Sequence, residues 1–321
     1  MKHSQKLCLK PWMDILLSQN SSERSQQRLT TRYLGRLIAK IFRRLRNIAG
    51  KSSLLYHPST MKPLVILTLL CSSVAVAQLP APNTEGVSAG HHILRAKDVD
   101  VANKFWTTLG GEPGALANIK LMKIPGVLLY ISAPRGNTPS LGGNHGTTVE
   151  FLTFKVKDLK ASLEKWKAAG IEPLKEYKET TLLGPDDVQV RITEDTSLAT
   201  PIASDGLVMN VANAAEVSAW YAKWFGAKIG RSGPDTIGEI PGARIVFHET
   251  KDPIAPTKGH SVGLLGFEVK NLQDFVTRYQ ASGAKLDGNV ATSAAANLSV
   301  VQLTDPWGTS IEVSQGLNAV K

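Results

Sequence analysis

From Ser261 to Ser314 the apolar residues change period in a fixed order. VGLLGFEV (262–269) is apolar but for Glu268 and is predicted to be a strand. In NLQDFVTRYQASG (271–283) the apolar positions recur every third or fourth residue, which predicts a helix that begins at Asn271 and breaks at Gly283. LSVVQLT (298–304) and TSIEV (309–313) return to strand character, joined by the turn Asp305-Pro306-Trp307-Gly308. The order is strand, helix, strands.

That order occurs four times. Asp98, Asp158, Asn213 and Asn271 each close an apolar strand and stand where a helix N-cap stands. An aromatic follows each at eight residues: Trp106, Trp166, Tyr221 and Tyr279. A glycine suited to stopping the helix follows at 12 or 13: Gly110, Gly170, Gly226 and Gly283. One such coincidence carries little weight, whereas four in register define a repeated unit. The aromatics are expected to pack each helix onto its sheet. The later strands match in alternation, KIPGVLLYIS (123–132) with EIPGARIVFH (239–248), and GPDDVQVRI (184–192) with DPWGTSIEV (305–313). The chain therefore reads as a duplicated pair of units.

Upstream the character differs. Met61-Lys62 leads into the apolar run PLVILTLLCSSVAVA (63–77), which ends in Ala75-Val76-Ala77. This is the pattern of a secretory signal peptide cleaved near Ala77-Gln78, and it is short for a membrane span. It predicts a periplasmic or extracellular protein with no membrane attachment beyond export. Translation is expected to start at Met61, with residues 1–60 a basic extension that is either disordered or not part of the protein. Residues 78–87 read as a Pro-rich linker.

The net charge of +10 loses its meaning once divided along the chain. The first 77 residues hold 13 basic and two acidic side chains, which leaves 24 basic against 25 acidic in the remainder. A near-neutral folded region argues against a nucleic-acid partner. Both cysteines, Cys8 and Cys71, lie upstream, so neither a disulfide nor a thiol centre is expected downstream. Gly86-Val87-Ser88-Ala89-Gly90 spells an esterase elbow, but a linker precedes it and a strand follows, the wrong setting for one.

The segments GFEVKNL, SGAKL and LTDPWGTSIEV of the fourth unit, and AAEVSAWYAKWFGAKI of the third, resemble the vicinal oxygen chelate superfamily. That superfamily includes glyoxalase I, bleomycin-resistance proteins and extradiol dioxygenases. The resemblance runs roughly from Val87 to Leu317. It implies an α+β fold of four βαβββ modules forming two curved mixed-sheet clefts, with modules one and two in residues 88–200 and modules three and four in 201–317.

The resemblance also implies a divalent metal (Zn, Ni, Fe or Mn), held by a His on each module's first strand and a Glu on its last. The first-strand positions, seven residues before each N-cap, hold His91, Phe151, Gly206 and Leu264. The last-strand positions fall at Tyr130, Arg191, Val246 and Glu312, with Ser132 and His248 two residues beyond Tyr130 and Val246 and so on the same strand face. Arg191 where a carboxylate belongs repels a cation and favours an anion. His92, next to His91, must face the opposite side. His145 and His260 sit in the Gly- and Pro-rich linkers LGGNHG and PIAPTKGH, which are expected to be exposed and frayed at a cleft mouth.

Pairing between modules decides what these residues can do. Sequential elements are usually neighbours, so modules one and two are expected to share one sheet and three and four the other, which leaves no complete metal site. If instead module one pairs with module four, His91, Tyr130 and Glu312 share a cleft. Three functions follow. The first is an exported protein binding a small molecule in a sheet-lined cleft, with a degenerate metal site or no metal, Tyr130, Arg191 and His248 contacting the ligand. The second is a metal-dependent lyase or dioxygenase with His91 and Glu312 as ligands and Glu312 also as base. The third is a non-catalytic structural or interaction protein.

Overall fold

The computed structural model describes residues 79–134, 142–174 and 180–320, which lie within one unit of the chain. The expected extension and signal peptide fall outside these residues. Among the described residues no helix is long and apolar enough to cross a membrane.

All four units form in order. The first is β1 (Val87–Arg95), α1 (Val99–Leu109), β2 (Glu112–Leu116), β3 (Ile119–Ile124) and β4 (Val127–Ser132). The second is β5 (Phe151–Val156), α2 (Leu159–Ala168), β6 (Pro173–Leu174), β7 (Thr180–Leu183) and β8 (Gln189–Glu194). The third is β9 (Ile202–Val211), α3 (Ala214–Phe225), β10 (Lys228–Ser232), β11 (Asp235–Ile240) and β12 (Ala243–Glu249). The fourth is β13 (Val262–Val269), α4 (Leu272–Ala281), β14 (Ala291–Ser293), β15 (Leu298–Thr304) and β16 (Ser310–Gln315).

Each helix starts where a side-chain oxygen can satisfy its first amides. Asp98, Asp158, Asn213 and Asn271 are extended and accept from backbone N–H groups two or three residues on. The four glycines that end the helices all have positive φ, from 65° to 121°. Trp106, Trp166, Tyr221 and Tyr279 are buried, as the amphipathic pattern requires.

Within each unit the first strand pairs in parallel with the last. Between units the first strands pair antiparallel, and here the expected neighbour pairing is overturned. β1 joins β13, and β5 joins β9. One eight-stranded sheet runs β14-β15-β16-β13-β1-β4-β3-β2 and so combines units one and four. The other runs β10-β11-β12-β9-β5-β8-β7-β6 and combines units two and three.

Neighbours in sequence meet instead through the core. Trp106 of α1 packs at 5.6 Å from Phe154 of β5, and Phe225 of α3 stacks at 4.0 Å on Phe267 of β13. One apolar cluster takes residues from all four units. The preference for sequential contact is met between helices and the next unit's strands, and the sheets are left to pair crosswise.

Two devices hold the crosswise arrangement. The linkers between units one and two and between three and four cross each other: Thr147 bridges Ala255, Thr148 N–H donates to Ala255 O at 2.9 Å, and Ser261 N–H donates to Gly142 O at 3.2 Å. Asn144, Thr147, Thr148 and Thr257 are buried, so these linkers are not the frayed segments their composition suggested. The second device is the repeated Ile-Pro-Gly turn. Pro125 O accepts from Ser204 N–H of the other sheet, and Pro241 O accepts from Ala89 N–H, both at 2.8 Å. Ala89 and Ser204 each precede a first-strand site position by two residues, and each lies beside a register shift in its strand.

Candidate functional site

The sheet of units one and four brings His91 and Glu312 together from 221 residues apart. They lie on β1 and β16, with β13 between them. Gly266 is the cross-strand partner of Glu312, and a Cβ there would collide with His91 Nδ1. The missing side chain lets the imidazole lie across β13, where its Nε2 meets Glu312 Oε1 at 2.9 Å. Gln302, opposite Glu312 on β15, donates to Oε2 at 2.9 Å. His91 and Glu312 are 3% and 0% exposed. His91 Nδ1 is buried with no partner among the described residues.

Tyr130 and Leu264 flank Ile93 on β1 as its partners on β4 and β13, so they form the row next to His91. The four family positions in this sheet are thus His91, Tyr130, Leu264 and Glu312. Two are donors of the expected kind, one is a phenol and one is an alkyl group. A catalytic metal takes three protein ligands as a rule, and no three His, Cys, Asp or Glu converge among the described residues. The donor set does not fit the implied metal, and no step is derived through one.

His92 turns the other way, as alternation demands, and is also buried. Burial above all, then the neighbouring His91, pushes its imidazole down to about 3 against an opposing backbone hydrogen bond. It packs as a neutral side chain.

The sheet of units two and three holds a more open site, a cavity of ≈ 600 Å³. Its floor is the row Phe151, Val208 and Val246, cross-strand partners on β5, β9 and β12. Arg191 on β8 lays its guanidinium 4.0 Å over the Phe151 ring. The last-strand positions therefore hold Arg191 and Val246, and the first-strand positions Phe151 and Gly206, the last with its φ at +124° and no room for a Cβ beside Arg244.

Two residues further along the strands the lining turns polar. Asn210 and His248 are partners on β9 and β12, and His248 Nδ1 meets Asp235 Oδ1 on β11 at 3.0 Å. Glu150, just before β5, is buried and accepts from four groups: His145 Nδ1 at 2.5 Å, Gly146 N–H at 2.8 Å, Asn210 Nδ2 at 2.7 Å and Gln189 Nε2 at 3.4 Å. His145 is exposed as expected. His260 is not: it is half-buried, with Nδ1 enclosed and unpaired among the described residues.

Residues 204–313 match the family described as the Glyoxalase/Bleomycin resistance protein/Dioxygenase superfamily. The likeness to that superfamily's domain is carried by this segment of the chain. The match covers units three and four, and the same order of strand, helix and strands is repeated in the other two. Glyoxalase I from Zea mays superposes with a TM-score of 0.56 at 14% identity, over 72% of this chain and 93% of that one. A point mutant of the same Zea mays enzyme gives 0.57 at 13% identity, with the same coverage. At that identity the likeness is one of fold. No curated protein sequence matches the chain.

The structure separates the candidate residues into two groups. His91, Tyr130 and Glu312 belong to one sheet of the superfamily fold, and Arg191 and His248 to the other. Glu150, Asn210, Asp235 and Gln302 were missed by the sequence reading. Asn210 was within reach, since it lies four residues from Gly206 and so on the same strand face. A lone acid at the head of an apolar strand was the signal for Glu150. Asp235 and Gln302 are fixed only by strand pairing.

Proposed function

We propose that the chain is a small-molecule-binding protein, exported after cleavage near Ala77-Gln78, whose ligand lies in the cleft of units two and three. The observation that supports this is the ≈ 600 Å³ cavity with an apolar floor of Phe151, Val208 and Val246 beneath a polar rim. Its volume and its mix of apolar surface with a few convergent polar groups are those of small-molecule sites. Arg191 and His248 contact the ligand in this reading.

A divalent-metal lyase or dioxygenase is the alternative, and the 2.9 Å contact between His91 and Glu312 favours it. It ranks second because Leu264 and Tyr130 stand where further ligands belong.

Thermal unfolding against a panel of small organic acids, aldehydes and aromatics tests the proposal. A ligand that raises Tm in the wild type and leaves Val246→Lys unmoved is the expected result. If no compound shifts Tm, the third function, a structural or interaction protein, takes its place. Stoichiometric Zn, Ni, Fe or Mn, removed by chelator together with an activity, would establish the metal enzyme instead. The mass of the exported protein checks the cleavage site.

A further inference from the structure

The rim of the ≈ 600 Å³ cleft carries two histidines, each with a carboxylate behind it. His145 Nδ1 faces Glu150 at 2.5 Å, and His248 Nδ1 faces Asp235 at 3.0 Å. A carboxylate on Nδ1 retains the proton there and leaves the lone pair on Nε2, the opposite corner of the ring. The imidazole side chains are 75% and 54% exposed, and both line the cleft. Glu150 is fixed in turn by Gly146 N–H, Asn210 and Gln189. Asn210 lies between the two pairs, hydrogen-bonded to Glu150 and opposite His248 across β9 and β12. A ligand body resting on Phe151, Val208 and Val246 therefore shares the cleft with two carboxylate-held imidazoles and with Arg191.

We propose that this cleft is a metal-independent acid–base site in which His145 and His248 move a proton on a small 2-oxo acid. This rests on the reading that the cleft holds a ligand. The alkyl chain lies on the apolar floor, and the carboxylate is drawn to the charge of Arg191. One Nε2 takes a proton from the carbon next to the carbonyl, and that C–H pair becomes the C2–C3 double bond. The carbonyl π pair moves to oxygen, which takes a proton from the other imidazole in its protonated form. Reversal after exchange with solvent returns a proton to carbon. The net result is hydrogen exchange at C3, or inversion where C3 is stereogenic, and nothing is oxidised.

The test is proton NMR of 2-oxopentanoate in D2O, following loss of the C3 signal with the whole protein, with and without EDTA. The expected result is exchange faster than in imidazole buffer, unchanged by EDTA. Exchange falls on the order of a hundredfold in His145→Gln and in His248→Gln. Glu150→Gln and Asp235→Asn, which alter positioning, shift the pH profile of the exchange. Absence of acceleration, acceleration that survives both histidine substitutions, or its loss to EDTA overturns the proposal. Binding of 2-oxopentanoate without exchange overturns it and leaves the ligand cleft standing.

Discussion

Glu312 has no exposed surface, and its two oxygens are met by His91 and Gln302. His91→Leu leaves the buried Glu312 side chain with one partner, so a loss of roughly 1–3 kcal/mol is expected in urea unfolding. Glu312→Gln, which retains an acceptor, should cost less. His92 gives a pH dependence. Unfolded it takes a proton below about 6.5, but folded only near 3, so its contribution is full above 6.5 and lost as pH falls through that window. Stability should decline toward pH 4 by at most about 1.4 kcal/mol per unit, and a His92→Leu variant should show a flatter profile. The opposite orientation of His91 and His92 was legible from alternation alone. That His91 reaches a carboxylate was not, because Gly266 clears the path and Glu312 lies 221 residues away.

At the scale of elements, the repeated Ile-Pro-Gly turns are the parts whose meaning changed. In the sequence they are only a shared feature of KIPGVLLYIS and EIPGARIVFH. In the structure each also presents its proline carbonyl to the other sheet. Gly242 has φ +86° and a Cβ position 2.6 Å from Pro80, whereas Gly126, at φ +93°, has its nearest neighbour at 3.3 Å. Both substitutions to Ala strain the turn by about 1 kcal/mol. Gly242→Ala adds a clash, so its loss in Tm should exceed that of Gly126→Ala. The helix starts were legible because an N-cap is local: one side chain satisfies amides two or three residues on. Asp98→Ala should therefore cost about 1 kcal/mol, measured by the same unfolding.

For the molecule as a whole, each half of the chain contributes a unit to both sheets. Residues 201–317 alone hold β9 without β5 and β13 without β1, so two first strands lose their antiparallel partners. We expect that segment to be unfolded or to dimerise by supplying those partners from a second copy. Light scattering and circular dichroism check this, and a folded monomer would show that neighbour pairing is accessible after all. Co-expression with residues 78–200 should restore one soluble species.

The sequence by itself determined four repeats of strand, helix and strands, and the caps and stops of their helices, while the α+β class and the cleft-facing positions came with the resemblance. The repeats, caps and stops follow from period and capping, which act over a few residues. Only the tertiary structure decided which units share a sheet. Either pairing joins the same kind of first strand, so local preference does not choose between them. The choice lies in the crossed linkers, where Asn144 and Thr257 are buried, and in the reciprocal proline turns. The same choice put His91 beside Glu312 and gathered Arg191, His248 and Glu150 around one cavity.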